Sequence, residues 1–276
     1  MKIATLGPKG TFSELAARKY KNRGKIIFCK NIAGVFDLIE KNKSDNKLDV
    51  GIVPLENMLD GSVGQTLDLL YHSKLRIIKE IVVPVHHCLA SLPSSKLENI
   101  RIVLSHPKAL AQCSHFLNEH NFFTREALST AEAAHEIREK NLQDTAAICT
   151  GRAAKLYNLN IIKRNIEDNK ENVTRFIVIS RKEDSEFQKN KRYKTSIAIH
   201  PSEDRPGLLH DLLEEFSSRD INLTKIESRP TKFHLGEYIF YIDFEGHEQE
   251  KRVVEALKAI KKLANVRVFG SYKKVY

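Results

Sequence analysis

Short apolar runs that read as buried strands recur along roughly the first 180 residues, and most are followed by a turn and a helix-start signal. Lys2 to Leu6 runs into the turn Gly7-Pro8-Lys9-Gly10, after which Thr11 and Glu14 form a capping-box pattern at the head of a helix to about Tyr20. Ser62 with Gln65 and Ser129 with Glu132 repeat that pattern, and Pro107 stands where a first helical residue belongs. Further strands are expected at Lys25 to Cys29, Asp49 to Pro54, Leu75 to Val85, Arg101 to Leu104, Ala146 to Cys149 and Phe176 to Ser180. Strand and helix in alternation imply the α/β class, in two lobes: 1–76 with 160–181, and 77–159. Ligands of open α/β sheets bind beyond the carboxyl ends of the strands, where helix amino ends offer free N–H groups and partial positive charge. Helix starts near Thr11, Ser62, Pro107, Thr130 and Thr150 therefore predict a cleft suited to a small anion, including one with two carboxylates.

From Arg181 the pattern breaks. Residues 182–194 are dominated by charge with little periodicity and read as a linker. Beyond it come a strand at Thr195 to His200, a helix with Leu209, Leu212, Leu213 and Phe216 on one face, and strands at about Asn222 to Arg229 and Glu237 to Phe244. A helix carrying Val253, Val254, Leu257 and Ile260 and a strand at Val266 to Ser271 complete a βαββαβ order, the ferredoxin-like arrangement.

Charge narrows the partners. The formal net charge of +10 admits nucleic acid, acidic membrane surfaces or an anionic metabolite. An RNA-recognition module shares the βαββαβ order, yet Leu235 and Ile239 occupy the basic and small positions its signature needs around Tyr238 and Phe240, so no nucleic-acid partner is expected. The start Met1-Lys2-Ile3-Ala4-Thr5-Leu6 is too short an apolar segment for a signal peptide, and no stretch approaches a membrane span. Cys29, Cys88, Cys113 and Cys149 show no paired short spacing, and the histidines, His86-His87 included, show no ligand spacing. A reduced, cytoplasmic protein without metal or cofactor is expected.

Several segments carry a resemblance. Gly7-Pro8-Lys9-Gly10-Thr11-Phe12-Ser13, Val53-Pro54-Leu55-Glu56-Asn57, Ser105-His106-Pro107-Lys108-Ala109-Leu110-Ala111-Gln112-Cys113 and Asn172-Val173-Thr174-Arg175-Phe176 stand in this order, followed by Gly207-Leu208-Leu209 and Glu227-Ser228-Arg229-Pro230. With these the chain resembles, over nearly its whole length, monofunctional prephenate dehydratases. That resemblance implies a catalytic domain at 1–181 of periplasmic-binding-protein type II-like, two-lobed α/β form, and an ACT regulatory domain at 195–276. Two departures stand out: Met58 where the family has Ser, and Leu208 where it has Ala, the latter adding bulk to an amino-acid pocket.

The activity implied is decarboxylative dehydration of prephenate to phenylpyruvate, water and carbon dioxide, with arogenate as the alternative substrate. Thr174 is the family's position for helping the hydroxyl leave, and Arg175 is the candidate for a carboxylate. Thr11, Asn57, Ser62, Ser105 and Phe176 are the candidate substrate contacts. Plain alternatives stand beside them: Thr11 and Ser62 as caps, Asn57 as a turn former, Glu56 as a loop charge or a partner for Arg175, His106 as a cap. The ACT resemblance implies phenylalanine as effector near Gly207, Leu208, Leu209, Glu227, Ser228, Arg229 and Pro230, and a homodimer or homotetramer through ACT contacts. The start at Met1 carries the expectation that no chorismate mutase domain is fused ahead of it. A non-catalytic small-anion binding protein is the rival from another class.

Overall fold

The structure is a computed structural model and describes residues 1–41, 48–182, 187–203, 205–231 and 236–275. The chain opens with β1 (Lys2–Leu6), α1 (Phe12–Tyr20), β2 (Lys25–Cys29), α2 (Ile32–Lys41), β3 (Leu48–Asn57), β4 (Gly61–Ser62), α3 (Gly64–His72) and β5 (Arg76–Pro84). It continues through β6 (Cys88–Ser91), β7 (Ile102–Ser105), α4 (Pro107–Ala111), α5 (Ser114–Glu119), β8 (Phe123–Glu126), α6 (Thr130–Glu139), β9 (Thr145–Cys149), α7 (Gly151–Leu156), β10 (Asn160–Arg164) and β11 (Val173–Ser180). The rest is β12 (Tyr193–Pro201), α8 (Leu208–Ser217), β13 (Leu223–Pro230), β14 (Tyr238–Glu245), α9 (Lys251–Ile260) and β15 (Ala264–Lys273).

Three sheets result. The first runs β2-β1-β3-β11-β5 with β4 paired to β3, the second β10-β6-β9-β7-β8, the third β13-β14-β12-β15. Strands covered on both faces are apolar or small throughout their buried cores: all five residues of β9 are buried, as are Phe176 to Ser180 of β11. In the third sheet β12, β14 and α8 and α9 close one core, with Ile197, Ile199, Ile242 and Phe244 against Leu212, Phe216, Val253, Leu257 and Ile260. The expected βαββαβ order is met element for element. Among the described residues no helix is long and apolar enough to cross a membrane.

Strand pairing moves the expected lobe crossings. β5 pairs in the first sheet and β10 in the second, so the chain crosses between Pro84 and Cys88 and again between Arg164 and Val173, not at 76/77 and 159/160. The reason is β6: its four residues Cys-Leu-Ala-Ser lack any β-branched side chain and gave no strand signal, yet β6 is the partner of β10. The helix expected from Pro107 is two helices. Asp168 intervenes, its backbone N–H donating to Gln112 O at 2.8 Å while its carboxylate accepts from Ser114 Oγ at 2.9 Å and from the His115 N–H at 3.2 Å. The expected linker ends early, because Tyr193 and Lys194 already belong to β12 and are buried, Lys194 Nζ lying 3.0 Å from Glu80 Oε2. Residues 183–186 of that linker fall outside the described residues.

By contacts the chain forms two compact units, one of Met1–Val35, Ile52–Ser62 and Val82–Phe176, the other of Phe36–Gly51, Val63–Ile81 and Ile177–Tyr276. Asn57, Thr174 and Arg175 lie in the first; the βαββαβ segment and α3 lie in the second.

Candidate active site

The end of β3 and the start of β11 bring Asn57 against Asn172-Val173-Thr174. Asn57 Nδ2 donates to Asn172 Oδ1 at 2.8 Å, to Thr174 Oγ1 at 3.0 Å and to Val173 O at 3.1 Å. Its Oδ1 accepts from the N–H groups of Leu59 and Asp60, at 3.0 and 3.1 Å, shaping the turn into β4. The turn role weighed for Asn57 is thus filled, its polar atoms are engaged inside the protein, and it orients Thr174. The orientation has a chemical consequence: with one lone pair of Oγ1 taken by an amide donor, the Thr174 hydroxyl hydrogen remains to be donated elsewhere.

Arg175 points into the protein, 4% exposed, with NH1 3.0 Å from Glu56 Oε1. Glu56 is therefore its ion-pair partner, and Arg175 in this conformation is not an open fork for a substrate carboxylate. Phe176 is 2% exposed and Ser105 fully buried, its hydroxyl donating to Ile148 O at 2.7 Å. Phe176 anchors β11 in the core, and Ser105 ties β7 to β9. Met58, in place of the family's Ser, is 53% exposed.

The helix amino ends also differ from expectation. Thr11 occupies the N-cap position of α1, but its hydroxyl donates to Pro8 O at 2.9 Å, and Glu14 accepts from the Gly10 N–H at 2.8 Å instead of closing a box on Thr11. Ser62 belongs to β4, paired with Glu56, and α3 begins at Gly64 with Val63 at the N-cap position and no side-chain cap. The others are closed by their own residues: His106 Nδ1 accepts from the Lys108 N–H on α4, Ser129 Oγ from the Glu132 N–H on α6, and Thr150 Oγ1 from the Ala153 N–H on α7. Of the five expected anion-facing ends, α1 and α3 are the ones left without a side-chain cap.

Sequence reasoning gave no role to Glu167. Its buried carboxylate accepts from the His87 N–H at 2.8 Å and lies 2.7 Å from His86 Nδ1, joining the two segments that cross between the first and second sheets. Burial pushes the His87 imidazole below its usual range, and its Nε2 lies 3.1 Å from Gln112 Oε1. A Glu in a run of charged loop residues carries no local signal of such a task.

In the βαββαβ segment Gly207 takes φ 81°, a left-handed conformation open to glycine, at the turn into α8. Gly207, Leu208 and Leu209 line a cavity of about 780 Å³ together with His200, Tyr238 and Phe240. Leu208 is also 7% exposed and packs in the core of this segment, so its bulk is taken up there as well as at the cavity. Glu227, Ser228, Arg229 and Pro230 lie on β13, where Ser228 and Pro230 pair with Phe240 and Tyr238 of that lining; Arg229 turns to α3, its Nε 3.4 Å from Asp68 Oδ1.

An α/β half that holds Thr174 against Asn57, joined to a βαββαβ half with a cavity, has the arrangement of a catalytic domain followed by a regulatory one. Comparison with known families gives the class its name. The prephenate dehydratase family model matches residues 3–184 and the ACT domain model residues 202–262, and the chain belongs to the prephenate dehydratase family. It is 40% identical over 271 residues to the prephenate dehydratase of Methanocaldococcus jannaschii, covering 96% of this chain and 95% of that one. The crystal structure of an Arthrobacter aurescens prephenate dehydratase in complex with L-Phe matches with a TM-score of 0.90 at 34% identity, over 99% of this chain and 90% of that one. A protein described as a novel type of quorum quenching acylase also matches with a TM-score of 0.90, at 27% identity, over 100% of this chain and 98% of that one.

Proposed function

We propose that this chain is a prephenate dehydratase regulated through its ACT domain, and that Thr174 is the residue that assists departure of the hydroxyl. In the reaction the bond from the ring to its carboxylate breaks, and the electron pair enters the ring as carbon dioxide leaves. The ring becomes aromatic and the carbon–oxygen bond to the hydroxyl breaks, hydroxide taking a proton to leave as water. Because aromatisation drives the step, the enzyme has to hold a dianion and stabilise charge building on the departing oxygen. The observation that carries the reading is the Asn57 Nδ2 donation to Thr174 Oγ1 at 3.0 Å, which leaves the threonine proton for that oxygen. A threonine hydroxyl is a very weak acid, so Thr174 acts by hydrogen bonding while the proton comes from water. The uncapped amino end of α1 supplies N–H groups for the substrate anion, with Thr11 and Ser62 as hydroxyl contacts, and Arg175 meets a carboxylate when it exchanges Glu56 for it.

The catalytic domain is assigned to 1–181 and the ACT domain to 193–276, with phenylalanine as inhibitor, a cytoplasmic location, and a homodimer or homotetramer built through ACT contacts. The purified protein is expected to form phenylpyruvate from prephenate, with a higher kcat/KM than for arogenate measured alongside. Thr174→Ala is expected to lower kcat by about 10² to 10⁴, and Thr174→Ser far less. An Ala variant that turns over normally refutes the role of Thr174.

A further inference from the structure

α3 is bonded to the regulatory half at both of its ends. At the amino end the Arg229 guanidinium lies on the face of Gly64: a Cβ there would come within 2.6 Å of Arg229 Cζ, so this approach needs glycine. Arg229 is held in place by Asp68 on the next turn, 3.4 Å from Nε, and by Glu227, 3.6 Å from NH1. In the last turn of α3 the Tyr71 hydroxyl hydrogen-bonds His200 Nδ1 at 3.2 Å, and His200 lines the cavity with Gly207, Leu208 and Leu209.

A cation at the amino end of a helix works against the helix dipole, so Arg229 over Gly64 is not there to stabilise α3. That end is joined by Val63 to β4, whose Ser62 and Gly61 pair with Glu56 and Asn57. Those two side chains in turn bind Arg175 and Thr174. Physical contacts and backbone thus run without a break from the cavity wall to the candidate catalytic hydroxyl.

We propose that α3 is the regulatory relay: occupation of the ACT cavity moves His200 and Arg229 relative to Tyr71, Asp68 and Gly64, and the shift of α3 passes through Val63 to the β3–β4 turn, whose Asn57 orients Thr174. The inference rests on phenylalanine being the effector. Two discrete settings of one element, each favoured by one ligand, are what coupling between sites requires.

The test uses the full chain and the variants Tyr71→Phe and Asp68→Asn, which cut the two links separately. Steady-state kinetics over a range of phenylalanine concentrations, calorimetric phenylalanine binding, and amide exchange across residues 64–72 are measured for each. Both variants are expected to keep kcat/KM without effector within about twofold, and phenylalanine affinity within about threefold, of the unmodified chain. The factor by which saturating phenylalanine lowers kcat/KM is expected to fall at least about fivefold in each, and the phenylalanine-dependent change in exchange of α3 is expected to shrink with it. Inhibition that stays full in both variants, or affinity lost together with inhibition, overturns the relay while leaving the effector reading intact. Phenylalanine that fails to inhibit the unmodified chain overturns the effector reading, and the relay with it.

Discussion

Replacing Asn57 by Asp tests the geometry around Thr174 with a change of one atom. In the protein Nδ2 faces three acceptors, Asn172 Oδ1, Thr174 Oγ1 and Val173 O, at 2.8 to 3.1 Å. A carboxylate oxygen in its place meets acceptors only. The two Nδ2 hydrogens are shared among the three acceptors, so two hydrogen bonds at about 1 kcal/mol each are lost, on the order of 2 kcal/mol, unless Thr174 turns its proton toward the new carboxylate. That rearrangement relieves the stability and removes the catalytic donor, so kcat is expected to fall by about 10² to 10³. The sign of the pH dependence then separates this account from simple damage. The acceptors around the oxygen that replaces Nδ2 disfavour the ionised carboxyl, while the Leu59 and Asp60 N–H groups at Oδ1 serve either form, so its pKa moves up; protonated, it regains a donor and Thr174 is freed. The assay follows phenylpyruvate formation at saturating prephenate from mildly alkaline to mildly acidic pH, corrected for the spontaneous reaction in acid. The variant's kcat, relative to the unmodified chain, should climb as pH falls. Undiminished kcat at alkaline pH, or a relative kcat that declines on acidification, refutes the positioning role of Asn57.

Two stability predictions follow from buried charge. Lys194 and Glu80 are 1% and 0% exposed, so Glu80→Gln, which removes the negative charge facing the buried ammonium, is expected to cost about 3–5 kcal/mol in urea unfolding, whereas Glu80→Leu with Lys194→Met recovers most of it; equal losses in single and double variants would show that the pair is not the cause. Burial of Glu14 favours its neutral form, but Arg152, the Gly10 N–H and Arg18 outweigh it and hold the carboxyl below the usual range. A lowered folded-state pKa contributes stability above the unfolded value of about 4.3 and loses it as pH drops through the folded one, so urea midpoints should fall more steeply on acidification for the unmodified chain than for Glu14→Gln.

The alternation of strands and helices and the βαββαβ order were legible because period and cap chemistry are local. What was not legible depended on partners distant in the chain. Ser62 and Gln65 have the spacing of a capping box, yet Ser62 is drawn into β4 by pairing with Glu56, which displaces the start of α3 to Gly64. β6 has no propensity of its own and is a strand because β9 and β10 flank it. The candidate site was legible as a set of residues but not as a set of roles. Thr174 and Asn57 meet as their motifs suggested, whereas Arg175, Ser105 and Phe176 are turned inward. Nothing in a strand of alternating side chains says which face is covered by the next element until the sheet order is known.

Sharing a backbone with a protein described as an acylase raises the question of which chemistry this chain performs, and the fold cannot answer it. Acyl transfer from a hydroxyl needs a base that takes the proton as the oxygen attacks. Thr174 Oγ1 has the opposite neighbour: Asn57 Nδ2 donates to it, which lowers the electron density a nucleophile needs and leaves the proton in place for a departing group. The hydroxyls of Thr11 and Ser105 donate to the carbonyls of Pro8 and Ile148, which cannot act as bases. The geometry suits a leaving oxygen that arrives with its own charge and accepts a hydrogen bond. Incubated with an N-acyl amide, the chain is therefore expected to release no amine above the uncatalysed rate, under conditions where it converts prephenate. Hydrolysis that disappears in Thr174→Ala would mean that the hydroxyl attacks, and the donor role argued from Asn57 would have to be abandoned.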